Sequence, residues 1–422
     1  MLIEFSVKNF LSFKNKVTLF MEKGNGDENL DNIISTNNVD LLKTTAIYGA
    51  NASGKSNILK AFTCAILMVR NSSLIPVGAK WNFIKPFLFD EVSKNKPSEF
   101  EFIFTVNNVK YRYFFSADAN KIYDEALDAY YSQKPTNIFT RTKTNNYEFT
   151  NDKSKLESLA TNNTENKLFL STATTWNYDK TKDAYLWFAS AIDTYDSFEN
   201  IADKDLIAYS SGEENLKDFA LKLLKEADIL IKDMTVDYEE KEMDSTMVDM
   251  LVPPLARTGD KFKVKNVNIE LEHEVLDDNN NKHTYKLNFT EESSGTRVLF
   301  AFAPFLKRAF EKTKVIVVDE LERSMHPALV EFIVKLFNNK EINKANSQLI
   351  FTTHATNLLN LELLRRDQIW FTEKNPDNGV SDLYPLDSFS VRKDENIQKG
   401  YINGRYGAIP FIRDIDLWLE DN

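Results

Sequence analysis

Gly49, Gly54, Lys55 and Ser56 stand in the order G-x-x-x-x-G-K-S within IYGANASGKSN, residues 47–57. That spacing suits the holding of a phosphate. Backbone N–H groups converge on an anion only where a glycine-rich turn lets the chain wrap it, and a helix N-terminus behind the turn adds a favourable dipole. Lys55 would meet the β- and γ-phosphates, the Ser56 hydroxyl would ligate Mg²⁺, and Asn51 and Asn57 would complete the contacts around the loop. A fortuitous loop is the alternative. Against it, the motif sits between the apolar, β-branched TTAIY (44–48) and a segment with helical periodicity through Ile58, Leu59, Phe62, Ile66 and Val69.

Three later stretches carry chemistry of the same kind. KVIVVDE (314–320) has four apolar residues in succession, the mark of a strand buried on both faces. Asp319 and Glu320 then fall at its C-terminal end, where ligands bind in open α/β sheets. Asp319 would hold Mg²⁺ and Glu320 would orient and deprotonate an attacking water. QLIFTTH (348–354) is a third apolar strand, closing on His354. A lone histidine is commonly structural, but this position favours a γ-phosphate contact. ESSGTR (292–297) puts Ser293 and Gly295 at a helix start, which can receive a phosphate or simply form an N-cap.

The elements that must position these residues alternate between strand and helix after about residue 262, ending in ALVEFIVKLFNN, SQLIFTTHATNLL and RDQIWFTE. Such alternation predicts a mainly parallel central sheet. The amino-terminal part reads differently. MLIEFSVKNFLSF and KVTLF suggest strands, and EFEFIFTVNNVKYRYFFSA (99–117) alternates on both sides of Asn107-Asn108, predicting an antiparallel hairpin. From about 150 to 260 polar stretches separate candidate helices near 181–194 and 213–226. A strand-like ILIKDMTVDYE and the polar EEKEMDSTM follow. This predicts an α/β chain in three parts: 1–150 with the loop and an antiparallel β subdomain, an inserted α-rich lobe at 151–261 with mobile loops, and 262–422.

Composition narrows the classes. The chain of 422 residues exceeds what one core usually serves. A formal net charge of −11 weighs against a surface basic throughout, although it allows a local basic groove. Cys64 is the single cysteine, so neither a disulfide framework nor a CxxC pair exists within one chain. No signal peptide and no apolar run of membrane-spanning length is present, and a cytoplasmic location without a membrane partner is expected. Apart from His326 and His354, only His273 and His283 remain, and they form no HNH or zinc-type cluster.

Glycine loop, long insertion, Ser-x-Gly at a helix start, paired carboxylates and strand-end histidine follow one another as in ABC-type ATPase heads. The sequence resembles the SMC/Rad50/RecF/OLD branch of that superfamily. MLIEFSVKNFLSF, DQIWFTEK (367–374) and GRYGAIPFI (404–412) further resemble the AAA-like, ABC-type ATPases of bacterial abortive-infection and phage-defence operons. The resemblance implies an ABC-type head fold, ATP with Mg²⁺, and slow hydrolysis. It makes Ser293 and Gly295 a signature motif, reading S-S-G-T instead of the commoner S-G-G, and ERSMHP (322–327) a D-loop with Ser324 at the interface. It further implies that the signature of one protomer covers the γ-phosphate held by another, hence a homodimer or a higher even-numbered oligomer.

Fewer residues follow His354 than the TOPRIM domain of OLD-type nucleases needs. The expected effector is therefore a separately encoded nuclease or toxin. The competing reading is a RecF- or Rad50-like ATPase that clamps DNA; a scaffold that barely hydrolyses and a hexameric AAA+ ring are further alternatives. In GRYGAIPFI, Arg405 between Gly404 and Gly407 could meet an anion or carboxylate, or the tail could dock through Ile409, Phe411 and Ile412. LLRRDQIWF could touch nucleic acid, or be a solvated helix end leading into a buried strand.

Overall fold

Alternating large apolar residues dominate the first 150 residues, and in the computed structural model they make one face of a seven-stranded antiparallel sheet. The structure describes residues 1–36, 39–195, 206, 208–209, 215–242, 263–392 and 395–410. Strands β1 (Leu2–Lys8) and β2 (Val17–Phe20) are followed by the short pair β3 (Ile33–Ile34) and β4 (Leu41–Leu42). Then come β5 (Thr44–Gly49), the glycine loop and α1 (Lys55–Asn71). β6 (Ser98–Val106) and β7 (Val109–Ala117) form the expected hairpin. Asn107 and Asn108 both adopt left-handed φ, 49° and 63°, as a two-residue turn between twisted strands demands. β8 (Ile122–Tyr130), β9 (Thr136–Thr142) and β10 (Asn146–Glu148) complete the sheet, ordered β10-β9-β8-β7-β6-β1-β2.

Helices α2 (Lys153–Thr161), α3 (Phe169–Thr175) and α4 (Asp179–Leu186) lead to β11 (Ile192–Tyr195). Next are α5 (Leu216–Glu226) and the antiparallel strands β12 (Asp233–Glu242), β13 (Lys263–Leu276) and β14 (Lys282–Asn288). α6 (Ser294–Glu311), β15 (Val315–Val318), α7 (Pro327–Asn338), β16 (Gln348–Thr352), β17 (Ile369–Lys374), β18 (Ser381–Pro385) and α8 (Ile397–Ile402) close the order. The central sheet runs β11-β15-β16-β5-β17-β18, its first five strands parallel and β18 antiparallel at the edge. This is the mixed α/β class read from the sequence, with an amino-terminal antiparallel part and a parallel central sheet.

Two compact units divide the chain. The first comprises Met1–Asp196, Lys312–Glu322 and Ile333–Asn422; the second comprises Ser197–Glu311 and Arg323–Phe332. Both units are built from discontinuous segments, whereas the sequence reading divides the chain at 151 and 261. Residues 153–195 belong to the first unit because their apolar side chains complete its core: Trp187 stacks on Phe104 at 4.2 Å between centroids, and Phe188 meets Phe102 at 5.0 Å. The second unit reaches on through α6, and its described part joins α5 and α6 with the sheet β12-β13-β14. Most of EEKEMDSTM, from 243 onward, lies outside the described residues, as do Phe411 and Ile412.

One apolar cluster of the first unit takes in residues of both sheets and of α1, among them Phe5, Phe62, Phe102, Ile47, Val317 and Ile350. Phe62 of α1 lies 3.8 Å from Phe5, centroid to centroid. The helix behind the glycine loop is thus held by the antiparallel sheet. It is held also by α3, where Ser171 Oγ donates to Val69 O at 2.8 Å and Leu168 N donates to Ser72 Oγ at 2.6 Å. α3 in turn is anchored on Glu125, fully buried, which accepts N–H bonds from Phe169 and Leu170 at 2.6 and 2.9 Å and the Tyr113 hydroxyl at 2.9 Å. Burial pushes the Glu125 carboxyl up, while the Arg141 guanidinium, 3.7 Å away, and these N–H groups pull it back. Glu125→Ala leaves Arg141 buried without its counter-charge and is expected to cost about 3–5 kcal/mol. A melting temperature unchanged from wild type would contradict this account of α3.

Candidate functional site

The glycine loop owes its shape to a close approach between two parallel strands. Gly49 pairs with Thr372 of β17, and a Cβ on Gly49 would stand 2.5 Å from both the carbonyl oxygen and the hydroxyl of Thr372. At the other end Gly54 has φ 122°, and a Cβ there would stand 2.9 Å from Ser381 Oγ. The loop is braced from outside as well. Ser381 Oγ donates to Ser53 O at 2.6 Å, and Ser53 Oγ and Thr372 Oγ1 share a hydrogen bond of 2.6 Å. Asn57 gives its side-chain amide to Ser12 Oγ at 2.8 Å, so its first role is to tie α1 to the turn after β1. Asn51 is exposed at the loop apex and Ser56 is half-buried in the first turn of α1.

Lys55 is buried, and its ammonium donates to Gly49 O at 2.8 Å and Ala50 O at 3.1 Å. Burial lowers its pKa from the ordinary lysine value, while Asp319, Glu320 and Glu322 push the other way. The same carboxylates act on His354, which burial and Lys55 depress from the ordinary histidine value. Lys55, Asp319, Glu320 and His354, read separately from the sequence, thus share one electrostatic neighbourhood, at the C-terminal ends of β5, β15 and β16.

Two residues passed over in the sequence build this neighbourhood. The Thr352 hydroxyl, at the end of β16, donates to Asp319 Oδ1 and accepts the Glu320 N–H at 2.8 Å. Glu320 takes a left-handed φ of 49° immediately after Asp319, a conformation uncommon for a residue with a side chain. Glu322 accepts the backbone N–H of His354, and its Oε2 is buried without a hydrogen-bond partner among the described residues. The signals were present in TTH and DELE, a hydroxyl before the histidine and a third acid after the pair. Nothing in their spacing says that the two strand ends meet.

The described residues contain no group of three or more His, Cys, Asp or Glu side chains placed to hold a metal ion. Magnesium, however, commonly takes one or two protein oxygens and completes its shell with water and phosphate. The Ser56 hydroxyl and the Asp319 carboxylate, oriented by Thr352, have the chemistry for that arrangement.

The helix tip of α6 and Ser324 belong to the second unit. Ser293 caps α6, accepting the Thr296 N–H at 3.1 Å, as the plain N-cap alternative foresaw. Gly295 is different. A Cβ there would meet only Ser324 O, at an ordinary 3.6 Å. Among the described residues, nothing around it requires glycine. Ser324 has φ 60°. His273 Nε2 lies 2.6 Å from Glu292 Oε1, and His283 Nε2 lies 3.0 Å from Asp277 Oδ2.

The described part of the carboxyl-terminal tail docks; of Ile409, Phe411 and Ile412, only Ile409 is among the described residues. Tyr406 and Ala408 are buried whereas Ile409 is half-exposed; the Tyr401 hydroxyl donates to Ala408 O at 3.1 Å and the Tyr384 hydroxyl to Tyr406 O at 3.0 Å. Tyr401 stands 5.8 Å from Tyr48 of β5, ring to ring, and Arg405 pairs with Glu395. Within LLRRDQIWF, Arg365 is buried against Asp367 at 2.8 Å, and Arg366 donates to Val391 O at 3.0 Å.

The family described as "AAA domain, putative AbiEii toxin, Type IV TA system" matches residues 44–360, from the first residue of β5 to beyond His354. The chain belongs to this family. The recognition made on the motifs holds at that level, and with it the assignment to ATPase domains. Among solved structures, the chain is similar to an SMC head domain from Thermotoga maritima, at 15% identity over 91% of this chain and 98% of that one, with a TM-score of 0.41. It is similar also to an Smc head bound to the C-winged helix domain of ScpA (15% identity, 91% and 97% coverage, TM-score 0.40). A third is an Smc head with an extended coiled coil bound to the C-terminal domain of ScpA, from Pyrococcus furiosus (16%, 91% and 96%, TM-score 0.39). No curated protein matches the chain. No described helix is long and apolar enough to cross a membrane.

Two outcomes are expected from this geometry. Thr352→Val removes the bridge without changing shape, and should lower ATP hydrolysis at least tenfold while the Kd for ATP changes less than threefold. Equal loss of both would mean that Thr352 merely supports the loop. In NMR titration of the free protein, the His354 ring should lose its proton below the ordinary midpoint of about 6.5. Desolvation and Lys55 both disfavour the imidazolium, so the ring is neutral at pH 7; a midpoint above 6.5 would reverse the sign of that balance.

Proposed function

We propose that this chain is an ATP-binding and hydrolysing switch that dimerises on ATP and controls a separately encoded effector, a nuclease or toxin, in bacterial anti-phage defence. The observation that carries the reading is the convergence of Lys55, Asp319, Glu320 and His354 around a loop whose glycines are sterically required. The family's description, naming a toxin–antitoxin system, supports the defence setting.

In this reading the loop N–H groups and the Lys55 ammonium hold the β- and γ-phosphates. Lys55 would exchange its bonds to Gly49 O and Ala50 O for phosphate oxygens. Ser56 and Asp319 would hold Mg²⁺, which would supply positive charge against the negative charge on the phosphate oxygens. Glu320 orients the attacking water and accepts its proton, and His354 contacts the γ-phosphate. A neutral, neighbour-depressed histidine suits this role, because an arriving anion raises its proton affinity. Gly295 and Ser293 of a second copy would cover the same phosphate. The glycine that its described surroundings do not demand would then serve the close approach of a ligand. Hydrolysis removes the shared charge and lets the copies part.

Glu320→Gln tests this directly. Phosphate release should fall at least a hundredfold while MgATP doubles the mass seen by light scattering; Lys55→Ala should stay at the nucleotide-free mass. A strict monomer with MgATP and Glu320→Gln would end the dimer proposal. Tight, steeply salt-dependent DNA binding by the same variant, without a partner, would favour a DNA clamp instead. Co-purification of the product of an adjacent reading frame would identify the effector.

A further inference from the structure

Beside the apex of the glycine loop opens a cleft of about 1020 Å³ that the phosphate chemistry does not use. Its walls are the loop residues Ala50–Ser53, the β17–β18 turn as far as Gly379, the docked tail up to Pro410, and the ring of Phe89. All belong to the first unit. Phe89 is 72% exposed, yet it is not loose. Its ring rests against Gly379, where a Cβ would stand 2.5 Å from Cδ2, and it meets Phe87 edge-on with centroids 5.7 Å apart. The Lys374 ammonium lies 5.6 Å from the ring centre. An aromatic side chain held in place by a glycine, and still open to water, is a platform with one face to offer.

Strand order says what should reach it. β5 has β16 and then β15 on one side, and β17 and β18 on the other. Asp319, Glu320 and His354 all stand on the β16–β15 side. A triphosphate gripped by the loop must turn its γ end toward them, and its other end must leave over β17. The cleft lies there. We infer that the nucleotide's base enters this cleft and stacks on Phe89, with the Lys374 ammonium beside it, so that this wall sets the preference for a nucleoside triphosphate over a bare polyphosphate. The volume suffices for a nucleoside, and base–aromatic stacking gives the contact its strength. The inference rests on the proposed binding of ATP by the loop.

Phe89→Ala, compared with Phe89→Trp, separates the two ideas when Mg²⁺-ATP and Mg²⁺-tripolyphosphate are titrated by calorimetry. The expected result is ATP binding about tenfold weaker in Phe89→Ala, near wild type in Phe89→Trp, and tripolyphosphate binding equal in all three. The fluorescence of the indole introduced by Phe89→Trp should also be quenched by ATP and not by tripolyphosphate. Unchanged ATP affinity in Phe89→Ala, or equal weakening of both ligands, overturns the base site and leaves ATP binding by the loop intact. Failure of wild-type protein to bind either ligand overturns the loop reading, and the base site with it.

Discussion

Between Gly49 and Thr372 there is no room for a methyl group, and the candidate site depends on that fact. The parallel pairing of β5 with β17 brings the backbone of one strand end against the carbonyl and hydroxyl of the other. A loop leaving from such a contact must turn sharply, and its second glycine is pressed by Ser381 from the next strand. The cradle is therefore shaped by the edge of the central sheet as much as by its own residues. Ser12, reaching in from the turn after β1, carries the same constraint to the antiparallel sheet. The amino-terminal segment and the carboxyl-terminal hairpin thus meet at the loop.

On the other side of β5 the organising group is a single hydroxyl. Thr352 joins the ends of β15 and β16 by taking one hydrogen bond from the backbone and giving one to a carboxylate. Asp319 is oriented by it, Glu320 is turned into a left-handed conformation beside it, and Glu322 closes the group on the His354 backbone. Acids and bases of opposite charge in one neighbourhood would ordinarily pair off. Here Lys55 is occupied by loop carbonyls and the histidine is kept neutral by desolvation and by that lysine. The Lys55 charge and the histidine's ring nitrogens stay available to a ligand.

Legibility of the fold followed the range of the interactions that decide each element. The β6–β7 hairpin could be read because period-two aromatics and two asparagines specify a strand pair and its turn locally. The boundary of the second unit could not. Phe169, Trp187 and Phe188 look like helix residues of any lobe, and only the sheet surface they cover assigns them to the first unit. The tail shows the same division: its apolar content announced docking, while only the structure shows that Tyr406 and Ala408 are the buried residues of its described part.

By itself the sequence determined the residue types that can hold a phosphate, a cation and a proton, and the strand or helix that carries each, because these are set by spacing over a few residues. The tertiary structure decided which of them meet. Strand order and register place Thr352 between Asp319 and Glu320, set Thr372 against Gly49, and open a cleft beside Phe89. No local pattern encodes such meetings, since each joins residues tens to hundreds of positions apart through the packing of two sheets around one helix.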